Sequence, residues 1–157
     1  MKFLHCDNSD KHIILHDCIA EKAYFQNGIL GFEFEDGFWV SPEHPESDSS
    51  TFVKTDFSKA EFVLGRGSEF DITVYVFQRC IFGTTVRKEW KIDKLIDKIN
   101  SGKCKIEFLY NYEDDGLRII ECYLRFDKRP YFAECQLKLF APQINYYWNK
   151  MLEDRVW

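Results

Sequence analysis

The chain has no apolar run that approaches the ~18 residues of a membrane span, and its opening MKFLHCDNSDKH turns polar after Leu4, so no signal-peptide core is expected. None of the six cysteines, Cys6, Cys18, Cys80, Cys104, Cys122 and Cys135, stands in a C-x-x-C pair. The usual spacings of structural zinc and of thioredoxin-like redox centres are therefore missing. Neither G-x-x-x-x-G-K-[ST] nor G-x-G-x-x-G occurs, which removes the common phosphate-cradling loops. An excess of positive charge is lacking too: 21 bases face 26 acids, a net charge of −5, which disfavours nucleic-acid binding by bulk electrostatics. These absences predict a cytoplasmic protein with reduced thiols, no cofactor or metal, and neither a membrane nor nucleic acid as partner.

What is present is a globular composition. Hydrophobic residues make 45% and charged residues 30% of 157 positions, which excludes a disordered chain and fits one domain spanning 1–157. Aromatic residues reach 17%, and they suit the pleated, half-buried surface of strands.

Asn27-Gly28 is a strong hairpin signal, because a type I′ turn needs positive φ at both central positions. With that loop, Phe25 faces Leu30, Ala23 faces Phe32 and Glu21 faces Phe34, so the apolar set shares one side. Asp36-Gly37 marks a second tight turn into Phe38-Trp39-Val40. His12–His16 reads as a strand that either continues through Cys18 or breaks at Asp17. Residues 41–51, SPEHPESDSST, form a surface loop without a core face. Strands follow at Phe52–Lys54 and Ala60–Leu64, then a turn at Gly65-Arg66-Gly67-Ser68. Phe70–Phe82 is the longest strand pattern; both its faces are apolar, which predicts a central position covered on both sides. Thr84–Ile92 is a further strand, with Val86, Trp90 and Ile92 inward. Ile92, Leu95, Ile96 and Ile99 make a helical stripe, placing a short helix at 93–101 between Asp93 and Gly102.

Parity organises the segment 104–140. The apolar residues of 104–112 and of 117–126 both sit at even positions, so a three-residue loop, Asp114-Asp115-Gly116, pairs Tyr110 with Ile120 and Phe108 with Cys122. The turn at 127–130 then sets Cys122 opposite Cys135, Leu124 opposite Ala133 and Ile120 opposite Leu137. Finally, Ile144, Tyr147, Trp148, Met151 and Leu152 fall at helical spacing, predicting a C-terminal amphipathic helix over 142–155. The expected fold is α+β and β-rich: an antiparallel, curled or barrel-like sheet of about nine or ten strands with two helices.

Few residues suggest chemistry. His12, His16 and Cys18 would share one face of an unbroken strand, and imidazole with thiolate suits a divalent metal, but a structural site needs a fourth ligand. Cys18 beside His16 and Asp17 resembles a nucleophile with its base, yet adjacent strand residues point to opposite faces. Cys122 and Cys135 form the best cysteine pair. Glu33 and Glu35 share a face, which a wet hairpin surface explains. Lys103, Lys105, Arg118, Arg125, Lys128 and Arg129 make 103–129 locally basic, balanced by acids in the same segment. No catalytic signature stands out, and catalysis is not expected. The leading expectation is a small binding protein whose partner is another protein, immunity-like or inhibitor-like in role, with Trp39, Tyr147, Trp148 and Trp157 as its interaction surface. The alternatives are a small ligand held inside an aromatic-lined β-barrel, or an enzyme of unrecognised type.

Overall fold

The Asn27–Gly28 hairpin has the expected register: Phe25 pairs with Leu30 and Ala23 with Phe32, and φ is 54° at Asn27 and 73° at Gly28. It belongs to a computed structural model that describes residues 3–65, 67, 72–79 and 83–157. In chain order the strands are β1 (His5–Asp7), β2 (Ile13–Ile14), β3 (Cys18–Ala20), β4 (Lys22–Gln26), β5 (Ile29–Phe34), β6 (Trp39–Val40), β7 (Val53–Thr55), β8 (Ser58–Val63), β9 (Thr73–Arg79) and β10 (Thr85–Trp90). Helix α1 (Ile92–Asn100) follows, then β11 (Lys105–Asp114), β12 (Leu117–Arg125), β13 (Phe132–Phe140), β14 (Gln143–Trp148) and β15 (Met151–Val156).

Among the described residues these strands form three antiparallel sheets rather than one of nine or ten strands, and no sheet closes into a barrel. A five-stranded sheet runs β1-β14-β8-β5-β4, a six-stranded sheet runs β10-β9-β13-β12-β11-β3, and a small sheet runs β15-β7-β6-β2. Phe32 and Phe34 of the first sheet meet Phe108 of the second at ring-centroid distances of 5.1 and 5.5 Å. Phe38 joins them, packing on Phe34, Tyr146 and Trp148. The buried side chains of all three sheets make one hydrophobic cluster.

Helix α1 buries Leu95 and Ile99 as the stripe required. It begins at Ile92, with Lys91 before it and no capping side chain, so Asp93 acts from the first turn through its charge rather than as a cap. Its last residue, Asn100, closes the free edge of β4: the amide accepts from Ala23 N at 2.9 Å and donates to Ala23 O at 2.8 Å. An exposed edge is a template for unwanted pairing, and this contact blunts it.

Three expectations are corrected. First, the tail is two strands, β14 in the five-stranded sheet and β15 in the small one, and not a helix over 142–155. Ile144, Tyr146 and Trp148 are buried at a spacing of two, a pattern that coexisted with the helical one. Aromatic side chains lose rotamer freedom in a helix and fit a pleated surface, so Tyr146-Tyr147-Trp148 favours the strand. Asp56 fixes the turn, its Oδ1 accepting from Asn149 N and Lys150 N.

Second, β9 is covered on one side only. Val74 and Val76 are buried, whereas Tyr75 and Phe77 are half-buried on an open face. On β10 Val86 is exposed, Trp90 is buried and Ile92 enters the helix. Residues 68–71 and 80–82, and Arg66 of the expected turn, lie outside the described residues.

Third, the loop between β11 and β12 has two residues. Asp115 and Gly116 adopt φ of 47° and 84°, and Asp114 pairs with Leu117. Phe108 still pairs with Cys122, but Tyr110 pairs with Glu121 instead of Ile120, because a β-bulge at Leu109 takes up the extra residue. Beyond it, Cys122–Cys135, Leu124–Ala133 and Ile120–Leu137 pair as expected.

Candidate functional site

The bulge at Leu109 decides which residues face outward. A shift of one position turns the following side chains to the other side of the sheet. Tyr110 and Tyr112, expected inside, are 52% and 55% exposed on the outer face of the six-stranded sheet. There they join Tyr75 and Phe77 of β9, Ile119 and Tyr123 of β12, and Phe132, which is 60% exposed on β13. Tyr123 and Phe132 pack edge to face at 5.5 Å. Three surface concavities of about 620, 480 and 310 Å³ share Tyr123. Arg87 lies over the Tyr75 ring at 4.6 Å, and Arg125 holds the buried Glu107 through two hydrogen bonds of 2.6 Å. Arg79, Arg87, Arg125 and Lys138 are interleaved on this face with Glu89, Glu121 and Glu134, so it carries no strong field of either sign.

A second feature lies where β3 ends. Asp17 has φ of 59° and its N–H donates to Phe108 O at 2.8 Å, after which β11 continues without β3 beside it. A cleft of about 440 Å³ opens there, lined by Ile13–His16, Tyr110, Asn111, Glu113, Arg118, Tyr146 and Trp157. Arg118 is only 2% exposed, because its even position on β12 places it on the same buried side as Ile120, Cys122 and Leu124. Its Nε donates to Ala141 O at 2.6 Å and its Nη2 to Asp10 Oδ2 at 2.8 Å. Tyr146 donates to the other Asp10 oxygen at 2.6 Å. Burial, followed by the Asp10 charge, holds the Tyr146 phenol well above its ordinary range, so it remains a neutral donor. Arg118 Nη1 is buried without a partner. The same parity that pairs Ile120 with Leu137 could have singled out Arg118 as a buried cation in the sequence.

The residues singled out for metal are separated. The positive φ of Asp17 breaks the strand, so His12, His16 and Cys18 do not share its face. His12 packs edge-on against His44 at 5.7 Å, and His16 packs against Tyr110 and Trp157. His16 Nδ1 is 3.1 Å from Asp17 Oδ2 but misaligned for a hydrogen bond. Cys18 is fully buried, its Sγ directed to the carbonyls of His16 and Ile14, and burial pushes its thiol up to about 12. A thiol in that state is a poor metal ligand and a poor nucleophile. Among the described residues no three His, Cys, Asp or Glu side chains converge as a metal site.

Of the expected interaction surface, Trp157 is 61% exposed, Trp39 and Tyr147 are half-buried, and Trp148 is 1% exposed within the core. Trp39, Phe52 and Trp157 form an aromatic cluster, with Lys54 over Trp39 at 5.2 Å. Tyr147 belongs to another group. Lys59 lies over the rings of Tyr147, Phe3 and Tyr24, and donates to Glu61 at 2.6 Å; the Tyr24 hydroxyl also donates to Glu61. Burial raises Glu61, yet the hydrogen bonds from Lys59, Tyr24 and Tyr147 and the Lys59 charge outweigh it, leaving the carboxyl below its ordinary value. The loop at 41–51 is anchored by His44, which is 7% exposed and has Nε2 3.3 Å from Asp7. Cys122 and Cys135 are opposed free thiols, both raised by burial.

No protein-family model, curated protein or solved structure matches the chain. No helix among the described residues is long and apolar enough to cross a membrane.

Proposed function

We propose that the chain is a non-enzymatic binding protein that docks another protein on the outer face of its six-stranded sheet. The observation that carries the reading is an open sheet face on which Tyr75, Phe77, Tyr110, Tyr112, Tyr123 and Phe132 alternate with charged residues. Aromatic residues and arginine are the side chains most enriched at energetic centres of interfaces. Tyr123 is the natural anchor, because it borders three concavities that a partner's side chains can enter. The mixed charge of this face bears on the partner. Inhibition of a strongly basic effector calls for an acidic surface, whereas this face selects by shape and aromatic contact, with a partner surface of balanced charge.

The test is affinity capture with the full chain, run beside Tyr123→Glu and Phe132→Glu variants that melt at the wild-type temperature. The reading expects a stoichiometric partner that the wild type retains and both variants lose. Cross-links should map to β12 and β13. Partners held equally by all three proteins would overturn it.

A further inference from the structure

We propose that the open edge of β11, where β3 leaves it, takes up an extended basic segment of another protein as an added strand. Phe108 is the last residue of β11 to pair with β3, and among the described residues no strand follows β3 on that side. Hydrogen-bonding parity shows what the edge offers. Asp114 and Leu117 close a two-residue hairpin as a hydrogen-bonded pair, and such pairs alternate along the strands. Ala141 N–H donates to Gly116 O at 2.8 Å, which sets the even positions of β12 beside β13 and leaves Leu117, Ile119 and Glu121 to bond β11. Their partners, Asp114, Tyr112 and Tyr110, therefore direct their backbone groups to β12. Asn111 and Glu113 direct theirs the other way, into the cleft that both residues line. Two N–H and two C=O groups stand there as a template for a strand. The edge of β4, by contrast, is sealed by Asn100.

The side chains define the occupant. Asn111 and Glu113 share one side of β11, and Tyr110 and Tyr112 the other. A residue added opposite Glu113 sets its side chain beside that carboxylate, and Asp114 and Asp115 continue the negative charge at the hairpin tip. Asp10, 41% exposed, adds a carboxylate to the lining. Among the described residues Arg118 is the only lysine or arginine lining the cleft, and it is buried and held by Asp10. Lysine or arginine therefore suits the positions opposite Asn111 and Glu113. The residue between them falls opposite Tyr112, where an apolar side chain meets the neighbouring rings of Tyr110 and Tyr112. The segment so selected alternates basic and apolar residues. This contact is separate from docking on the sheet face, which is tested at Tyr123 and Phe132.

The probe is an acetylated, amidated hexapeptide of alternating arginine and valine, titrated into the full chain by calorimetry. It should bind at least tenfold more tightly than the corresponding glutamate–valine peptide, and hydrogen exchange at the Asn111 and Glu113 amides should slow at least tenfold in its presence. Methylation of the arginine amide nitrogens should abolish binding, because those nitrogens face β11. Methylation of the valine nitrogens, which face away, should leave it within twofold. Glu113→Gln keeps an oxygen for the Gly116 N–H and should weaken the arginine peptide at least fivefold with the melting temperature unchanged. Asn111→Pro removes one open N–H and should abolish binding; if that variant fails to fold, the methylated peptides decide. Equal affinity for the glutamate peptide would overturn the charge argument, and indifference to which nitrogens are methylated would overturn strand addition. Absence of binding at millimolar concentration would overturn both. A chain that sediments as a dimer and becomes monomeric in Asn111→Pro would mean that a second copy covers the edge, and the proposal would fall.

Discussion

Replacing Asp10 with alanine tests the buried network directly. Arg118 has a side chain only 3% exposed, and its guanidinium relies on Asp10 and on the carbonyl of Ala141. Without Asp10 the cation keeps one protein acceptor, and the Tyr146 hydroxyl loses its own. Removing one partner of a buried ion pair costs about 3–5 kcal/mol, since the other charge stays behind. Asp10 is 41% exposed, so water can replace part of what is lost. The expected cost is therefore reduced to about 2–3 kcal/mol. For a chain of this length that is a fall in melting temperature of roughly 4–12 °C. Urea denaturation should show the same loss as a shifted midpoint with unchanged slope. Arg118→Met supplies the control. Methionine would extend the apolar row of Ile120, Cys122 and Leu124 and leave Asp10 at the surface, at a cost of about 1–2 kcal/mol, most of it for the Ala141 carbonyl that loses its Arg118 donor. In the Arg118→Met background the Asp10→Ala change should then cost little, because no cation remains to be stranded. If Asp10→Ala shifts stability by less than about 0.5 kcal/mol, or if the two substitutions are simply additive, the buried-pair account of Arg118 fails.

Three further outcomes are expected. Asn27→Ala combined with Gly28→Val should destabilise by about 1–3 kcal/mol, because φ is 54° and 73° at these positions; equal denaturation midpoints would refute the strained-turn argument. Glu61 should make stability acid-sensitive: its folded carboxyl lies below the ordinary 4.5, so its contribution is complete above about pH 4.5 and is lost as the pH falls through the folded value. Glu61→Gln should flatten the stability profile below pH 5, and an unchanged profile would count against the hydrogen bonds assigned to it. Alkylation mapped by mass spectrometry should label Cys6 before the buried Cys18, Cys104, Cys122 and Cys135, and should quicken at alkaline pH because the Cys6 thiol is raised; early labelling of Cys122 or Cys135 would contradict their burial.

Local patterns were legible where one period had no rival. Asn27-Gly28 with matched alternation on both flanks allowed one register, and the Cys122–Cys135 pairing followed from parity alone. The C-terminal segment carried two periods at once. Ile144, Tyr147 and Trp148 fit a helix, while Ile144, Tyr146 and Trp148 fit a strand, and the unpaired edge of β8 offered the strand a partner. That partner is a tertiary fact, invisible to a window of residues. The metal constellation failed for a local reason: one positive φ at Asp17 redirected the chain between His16 and Cys18.

The loop after β11 shows how a sound constraint can be satisfied in an unexpected place. Even positions on both strands had to reach the same core, so one residue had to be absorbed between Phe108 and Cys122. A longer turn would absorb it at the tip, leaving Tyr110 and Tyr112 inside. The bulge at Leu109 absorbs it earlier, where β3 ends, and everything beyond changes sides. Phe34, Phe38 and Phe108 already fill the interior near that point, so large rings there would be overpacked. Sending Tyr110 and Tyr112 outward relieves the core and builds the open aromatic face in the same step. It also sets Tyr110 beside His16, at the mouth of the cleft that Arg118 lines. Deleting Leu109 should therefore remove the bulge and leave Tyr110 opposite Glu121, with the two-residue turn kept and both tyrosines still outward; tyrosines turned into the core of that variant would refute this account.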